Sequence, residues 1–206
     1  MSKHNTPFSI LILSLVERIE KLHRLLTFLD NQISDYQHET GELIEVIVDI
    51  DNGKRSIAEK RNHLLQLAKG TFLCFIDDDD KVSEDFVARL GEIVQTVPTV
   101  DCITFNQSCI VDNRKFTVEF GLGNPITSEE LLLENKSNIL KRPPYHMCLF
   151  KSAVAKKINF IDAKDQRGKS VEDIEWLLNL YPHLTTEFKI NRILHHYQYD
   201  SSVSRS

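Results

Sequence analysis

Four consecutive aspartates, Asp77 to Asp80, come directly after the apolar stretch 72–76. Two unit charges about 4 Å apart repel by about 4 kcal/mol at an effective dielectric constant of about 20, so carboxylates crowded at the end of a buried segment need a counter-charge. A divalent cation would supply it, and Mg²⁺ and Mn²⁺ prefer carboxylate oxygens. The alternative is a solvated loop whose acids face the N-terminal dipole of the next helix. The run therefore predicts either a metal site or an acidic helix cap.

A second group of chemically capable residues lies near the C-terminus. Glu172 and Asp173 are adjacent acids at the start of an amphipathic stretch, with Trp176 one turn further on. His195 and His196 lie in a stretch with strand character, so their side chains point to opposite faces and only one of them can reach a common site. The alternative for the acids is an ordinary first helical turn, which favours negative charge, with Trp176 in the core.

Alternating strand and helix patterns in the N-terminal half must position the aspartates. Continuous apolar runs predict strands covered on both faces, and apolar residues at helical spacing predict helices between them. Such repeats favour an α/β fold with a mainly parallel central sheet flanked by helices. Ligands bind beyond the carboxyl ends of the strands, where DIDNG (49–53) and the aspartate run both fall. The predicted strands are 8–16, 43–51, 71–76 and 100–111, and the predicted helices are 16–33, 56–70 and 83–97.

Local signals mark the ends of several elements. Ser56 and Glu59 predict a capping box at the start of the second helix, and Gly70 is expected at the C′ position after it. Ser83 is the expected N-cap of the third helix. A second hairpin strand is predicted at 115–121. Further elements are predicted as a helix at 128–135, a strand near 145–150, a helix at 170–181 and a strand at 187–200.

Composition narrows the class of protein. The 206 residues are 41% hydrophobic and 27% charged, as in a soluble globular domain, and the net charge is −5. The absence of a block rich in Lys and Arg argues against a nucleic acid partner. The four cysteines form no CxxC pair, which argues against a zinc site and a disulfide framework. No apolar run approaches the length of about 18–20 residues that a membrane span needs. We therefore expect a cytoplasmic protein, with peripheral attachment to a membrane left open.

The motifs of the chain resemble those of the family 2 glycosyltransferases, which have the GT-A fold. IAEKRNHLLQLAKGTFLCFIDDDD is similar to the segment with an R-N pair, a helix ending A-x-G, an apolar strand and the D-x-D metal motif. EVIVDIDNG resembles the strand whose terminal acids hold the nucleoside, and VEDIEWLLNL resembles the E-D-x-x-[FW] helix. These pieces follow the family's order over nearly the whole chain. The resemblance implies one GT-A domain over 1–206, with 1–111 binding the nucleotide-sugar and 112–206 carrying the acceptor site and catalysis.

The resemblance assigns the aspartate run to a metal ion and a donor. Asp77 and Asp79 match the D-x-D motif: Asp79 would bind Mn²⁺ or Mg²⁺, and Asp77 would lie near the ribose or the water shell of the metal. In a run of four aspartates the D-x-D motif can shift by one residue. Asp78 and Asp80 therefore stay candidates, with Asp78 as a possible contact of the sugar donor. Some members of the family add a histidine of the closing segment to the metal, and two residues here could fill that role, His196 and His195.

Other residues are assigned to the donor. Asp51, or Asp49 in its place, would accept a hydrogen bond from the base of the nucleotide, since a carboxylate at a strand end can read an N–H group of uracil. Arg61 would contact the donor, and its alternative is a surface ion pair with Glu59 or another nearby acid. The resemblance thus implies a nucleoside-diphosphate sugar, with a UDP-sugar as the first choice.

The E-D pair is assigned to the chemistry. An inverting sugar transfer needs a base that deprotonates the acceptor hydroxyl as it attacks the anomeric carbon. In the family the aspartate of the pair does this, which falls here on Asp173, and Glu172 would assist or bind acceptor hydroxyls. Trp176 would stack on a sugar face, and His146 is a further candidate for the acceptor site.

The predicted function is therefore a metal-dependent inverting glycosyltransferase acting on a glycan, a glycolipid or another hydroxyl acceptor. One alternative is a nucleotidyltransferase, which uses a similar sheet and paired acids on Mg²⁺. That class opens with a glycine-rich loop after its first strand, and LSLVERIEK contains no glycine. The other alternative is a non-catalytic domain that binds a sugar nucleotide.

Overall fold

The computed structural model of the chain describes residues 6–125, 138–166, 168 and 170–199. The helix predicted at 128–135 lies outside these residues. No described helix is both long and apolar enough to cross a membrane. The strands are β1 Phe8–Leu15, β2 Glu45–Asp51, β3 Phe72–Phe75, β4 Lys81–Val82, β5 Cys102–Val111, β6 Arg114–Phe120, β7 Ile139–Arg142, β8 Leu149–Lys151 and β9 Glu187–Tyr199. The helices are α1 Ile19–Thr40, α2 Ile57–Leu67, α3 Phe86–Thr96, α4 Ser152–Ala155 and α5 Glu172–Leu180, with 3₁₀ turns at Val16–Arg18 and Tyr181–His183.

The strands form one mixed sheet in the order β2-β1-β3-β8-β5-β6-β7, with β9 beside β5 and β4 beside β9. Strands β2, β1 and β3 are parallel, as βαβ connections require. Strand β8 runs antiparallel to both β3 and β5, and β5 and β6 form a hairpin across the left-handed residues Asp112 and Asn113. The prediction of an α/β fold is confirmed, but the sheet is mixed. Strands β5 and β9 pair in parallel, as do β6 and β7, whereas β4 runs antiparallel to β9.

The helix ends match the sequence signals in part. Ser56 Oγ accepts from the backbone N–H of Glu59 at 3.1 Å, and the Glu59 carboxylate accepts from the N–H of Ser56 at 2.8 Å, which confirms the capping box. Gly70 is not the C′ residue, because α2 already ends at Leu67. A Cβ at Gly70 would lie 2.5 Å from the backbone carbon of Phe8. Close approach of the chain to β1 is therefore the reason for this glycine.

The predicted cap of the third helix is wrong in detail. The N-cap of α3 is Asp85 and not Ser83, whose hydroxyl instead donates to the Asp85 carboxylate at 2.9 Å. The N-cap of α5 is Val171, and Ser170 donates to the side chain of Glu172 at 2.5 Å.

The carboxyl ends of β1, β2 and β3 meet at one edge of the sheet, as the parallel pairing requires. The segment before β8 lies along the end of β3, where the backbone N–H of Phe75 donates to the carbonyl of His146 at 3.0 Å. This contact brings residues of the second half next to the aspartate run.

Candidate active site

The aspartate run forms a tight turn that spreads its side chains. The backbone N–H of Asp80 donates to the carbonyl of Asp77 at 3.0 Å. Asp77 and Asp79 remain 40% and 46% exposed, whereas the side chains of Asp78 and Asp80 are only 3% and 7% exposed. The run therefore divides into an accessible pair at D-x-D spacing and a buried pair.

Asp78 points toward β1. Its carboxylate accepts from Ser14 Oγ at 2.5 Å and pairs with the guanidinium of Arg18. Burial raises the pKa of Asp78 above its ordinary value, although Ser14 and Arg18 act in the opposite direction. Both carboxylate oxygens have partners in the protein, so Asp78 supports the loop, and its role as a donor contact stays a prediction.

Asp80 and His195 form a buried pair behind the loop. Nε2 of His195 lies 3.0 Å from the Asp80 carboxylate, and Nδ1 lies 2.9 Å from the side-chain nitrogen of Gln107. Burial raises the pKa of Asp80, although His195 lowers it. His195 is fully buried, and its ring nitrogens face Gln107 and Asp80, so its assignment to a metal stays a prediction.

His196 lies on the opposite face of β9. It lines a shallow groove with Lys81, Ser83, Asp85 and Arg192, and neither Asp77 nor Asp79 lines this groove. Burial and the neighbouring histidine lower its pKa. The structure therefore does not bring His196 to the predicted metal ligands.

Asp77 and Asp79 are the residues that could hold a metal ion. No group of three or more His, Cys, Asp or Glu in the described part of the chain is arranged as a metal site. Mg²⁺ commonly takes only one or two protein carboxylates and fills its shell with phosphate oxygens and water. Two accessible carboxylates thus fit an ion shared with a phosphate ligand, and they do not form a closed protein site.

Arg61 is buried beneath this edge. Its guanidinium lies 5.0 Å from the ring centroid of Phe75 and 5.4 Å from that of Phe160. Nε is 3.4 Å from Glu172 and Nη2 is 3.7 Å from Asp77. A surface ion pair with Glu59 is therefore excluded. Nε and Nη1 of Arg61 have no hydrogen-bond partner in the described residues, which is typical of a ligand or water site.

Asp173 sits at the start of α5 and faces the loop. Oδ2 accepts from the Tyr145 hydroxyl at 2.5 Å and lies 3.5 Å from Nδ1 of His146, and Oδ1 accepts from the N–H of Ile174 at 2.7 Å. Burial alone would raise the pKa of Asp173, but the neighbouring His146, Arg61 and Tyr145 hold it below its ordinary value. Asp173 is therefore ionised at neutral pH, as a general base must be.

His146 connects the two parts of the site. Its Nε2 lies 3.9 Å from Asp77 and its Nδ1 3.5 Å from Asp173, and neither ring nitrogen has a hydrogen-bond partner in the described part of the protein. His146 is buried, so these polar atoms need a partner that arrives with a ligand or water. The structure thus places His146 beside the predicted catalytic acids.

Trp176 does not face the site. It is fully buried, it stacks on Phe160 with ring centroids 4.6 Å apart, and its Nε1 donates to the carbonyl of Ile158 at 3.1 Å. Acceptor stacking by Trp176 is therefore wrong, and the alternative reading as a core residue is correct. Glu172, one turn earlier, is also buried, with Arg61 and Ser170 as its partners.

The acids at the end of β2 are held by cations. Arg55 pairs with both oxygens of Asp49, and His63 Nδ1 lies 2.7 Å from Oδ2. Burial would raise the pKa of Asp49, but Arg55 and His63 lower it overall. Asp51 accepts from the backbone N–H of Arg55 at 2.8 Å and from Lys60 at 2.9 Å, and both hydrogen bonds lower its pKa. Both acids therefore have protein partners, and Asp51 is the more exposed of the two, with 10% of its side chain accessible against 3% for Asp49.

Sequence reasoning missed Tyr145, Arg18 and Lys60. Tyr145 follows the Pro-Pro turn immediately before His146, and this adjacency was the available signal. Arg18 and Lys60 have no such signal, because their partners are distant in the chain.

Comparison with known proteins supports the prediction of a glycosyltransferase. No protein-family model matches the chain. An uncharacterized glycosyltransferase of Haemophilus influenzae is 29% identical over 140 residues, which are 66% of this chain and 45% of that protein. The chain is thus a homologue of a protein described as a glycosyltransferase, and it spans less than half of that relative's length.

The fold is that of a solved structure. S. aureus TarS 1-349 superposes with a TM-score of 0.61 at 15% identity, over 94% of this chain and 60% of TarS 1-349. Its complex with UDP-GlcNAc gives a TM-score of 0.58 at 14% identity, over 98% of this chain and 59% of that one. At this identity the likeness concerns the fold, and it confirms a mixed sheet flanked by helices.

Proposed function

We propose that this chain is an inverting glycosyltransferase domain of the GT-A type that transfers a sugar from a UDP-sugar to a hydroxyl group of a glycan or glycolipid. One observation carries the proposal: an ionised Asp173, buried His146 and half-exposed Asp77 converge where β3 ends. Similarity to a glycosyltransferase and to a fold crystallised with UDP-GlcNAc supports it. The assignment to family 2, the single domain divided near residue 111 and the cytoplasmic location stay predictions.

The reaction follows from the arrangement of the acids. Asp173 accepts the proton of the acceptor hydroxyl while that oxygen forms a bond to the anomeric carbon. The bond from the anomeric carbon to the diphosphate oxygen breaks, and its electron pair leaves with the diphosphate. Attack opposite the leaving group inverts the anomeric configuration. Asp51 is proposed to contact the base, and the unpartnered nitrogens of Arg61 are proposed to bind donor oxygens.

Mg²⁺ or Mn²⁺ is part of the proposal. Asp79 and Asp77 would hold it, and the ion would neutralise charge that develops on the departing diphosphate. A nucleotidyltransferase remains disfavoured, because the connection between β1 and α1 is a 3₁₀ turn without glycine. A non-catalytic domain that binds a sugar nucleotide would present such polar groups too, and the transfer assay distinguishes it from an enzyme.

The test uses binding and transfer together. UDP-, GDP- and TDP-sugars are compared by thermal shift with and without Mn²⁺, and the best donor is used in a transfer assay. Asp173→Asn should abolish transfer while leaving nucleotide affinity unchanged. Glu175→Gln, which removes another acid from the first turn of α5, is the matched control and should keep its rate. Transfer by Asp173→Asn at nearly the wild-type rate would reject the base assignment, and metal-dependent release of pyrophosphate from nucleoside triphosphates would favour the nucleotidyltransferase.

A further inference from the structure

Two cations of the chain face the outer side of the aspartate turn. Arg18 ends the 3₁₀ turn after β1, and Lys21 follows in the first turn of α1. Nη2 of Arg18 lies 2.7 Å from Oδ2 of Asp79 and also pairs with Asp78, and Nζ of Lys21 lies 3.2 Å from the same Asp79 oxygen. The charge of Asp79, the predicted metal ligand, is therefore already neutralised by Arg18 and Lys21.

On the other side of the turn, Asp77 lies beside polar nitrogens that have no hydrogen-bond partner among the described residues. His146 and Arg61 have side chains that are more than nine-tenths buried, and they lie 3.9 Å and 3.7 Å from Asp77. Both ring nitrogens of His146 and two guanidinium nitrogens of Arg61 lack hydrogen-bond partners among the described residues. Buried nitrogens without partners point to a ligand or water, and the guanidinium nitrogens, which can only donate, need acceptor oxygens. The turn thus lies between half-exposed cations on one side and these buried nitrogens on the other.

We propose that Arg18 and Lys21 form a diphosphate-binding site and act as the counter-ions of Asp79 until a ligand arrives. The inference rests on the proposed function, because the ligand is the diphosphate of the donor. The side chains of Arg18 and Lys21 are 34% and 47% exposed, so both can turn toward a ligand above the turn. Guanidinium and ammonium groups are the side chains that bind phosphate oxygens.

Charge stays balanced when a diphosphate replaces Asp79 as the partner of the two cations. Asp78 and Asp79 together carry two negative charges, which Arg18 and Lys21 compensate. A divalent ion that binds Asp79 alone must displace both cations, which leaves Lys21 without its anion and Arg18 with Asp78 as its partner. A diphosphate that arrives with the ion gives those cations a new partner. Metal alone should therefore bind weakly, and metal and diphosphate should strengthen each other's binding.

Removing the two cations should have effects of opposite sign on the two ligands. We expect the double variant Arg18→Gln/Lys21→Gln to bind Mn²⁺ alone about three- to fivefold more tightly, since exposed ion pairs contribute little each. The same variant should bind UDP in the presence of Mn²⁺ about ten- to hundredfold more weakly, since charge-assisted hydrogen bonds are lost. Arg89→Gln is the matched control, because it removes one half-exposed arginine that pairs with Glu92 on α3.

Isothermal titration calorimetry of Mn²⁺ alone and of UDP with Mn²⁺ measures both effects. Lys21→Gln alone is a second variant that leaves the contact between Arg18 and buried Asp78 intact, so it keeps the test valid if the double variant fails to fold. UDP affinity equal to wild type in these variants would overturn the inference and leave the proposed function standing. A wild-type protein that binds no nucleoside diphosphate would overturn both.

Discussion

Tyr145→Phe tests whether the neighbours of Asp173 keep it ionised. The Tyr145 hydroxyl donates to Oδ2 of Asp173 at 2.5 Å, and phenylalanine keeps the ring that lies parallel to Phe120. A hydrogen bond to a charged group contributes about 1.5–3 kcal/mol, and water has little access to replace it because Asp173 is largely buried. We expect the free energy of unfolding at pH 7, measured by urea denaturation, to fall by about 1.5–3 kcal/mol.

The dependence of this loss on pH identifies its origin. Burial alone would raise the pKa of Asp173, but His146, Arg61 and Tyr145 lower it in the folded protein. A carboxylate whose pKa is lowered by folding stabilises the protein above its unfolded pKa, and the contribution is lost as the pH falls through the folded pKa. The difference between wild type and Tyr145→Phe should thus be constant from about pH 7 to about pH 5 and shrink below about pH 4.

The loss of the hydrogen bond from Tyr145 to Asp173 should also change the pH dependence of the transfer reaction. If Asp173 is the base, the acid limb of kcat/KM follows its pKa, and one pKa unit corresponds to about 1.36 kcal/mol. The acid limb should therefore move upward by about one to two pH units in Tyr145→Phe. Tyr181→Phe is the control, because its hydroxyl only accepts from the backbone N–H of Gly123 at 2.8 Å. A stability loss that is the same at every pH, with an unmoved acid limb, would show that Tyr145 does not lower the pKa of Asp173.

Three further substitutions test the packing that holds the site. Trp176→Ala should cost about 3–5 kcal/mol in urea denaturation because it empties a fully buried position, and a stable variant with weaker acceptor binding would contradict the burial. Gly70→Ala should cost about 3 kcal/mol, since its Cβ would meet strand backbone at 2.5 Å, and a neutral result in thermal denaturation would contradict that contact. Arg61→Met should cost about 3–5 kcal/mol by leaving Glu172 buried without its cation; adding Glu172→Gln should recover part of the loss, and no recovery would count against the ion pair.

The elements of the first half could be predicted because their signals are local. Apolar periodicity located β1, β2, β3 and β5 and the helices between them, and the Ser56–Glu59 box marked the start of α2 correctly. The direction of β8 could not be predicted, because it depends on a return of the chain from a distant segment. The antiparallel pairs of β8, together with the β5–β6 hairpin and the β4–β9 pair, make the sheet mixed and not mainly parallel.

Several residues of the site could be predicted from the sequence, but the contacts between them could not. Asp77, Asp173 and His146 were all named from sequence, and the structure brings them together. Trp176 was misplaced because residues three and four apart on a helix share a face only approximately, and helical spacing does not say which face is buried. The surroundings of His195 could not be predicted because Asp80 and Gln107, the groups that enclose it, come from other strands and loops.

The aspartate run shows why charge spacing along a chain is a weak measure of repulsion in space. A single turn sends Asp78 to Arg18 and Asp80 to His195, so neither needs a metal as a counter-charge. The case for a metal therefore no longer depends on relief of repulsion. It depends on Asp77 and Asp79, which are the exposed members of the run and stand at D-x-D spacing. Since Asp79 already has protein cations as partners, any metal must compete for it, and metal affinity measured without a diphosphate would understate the affinity of the working site.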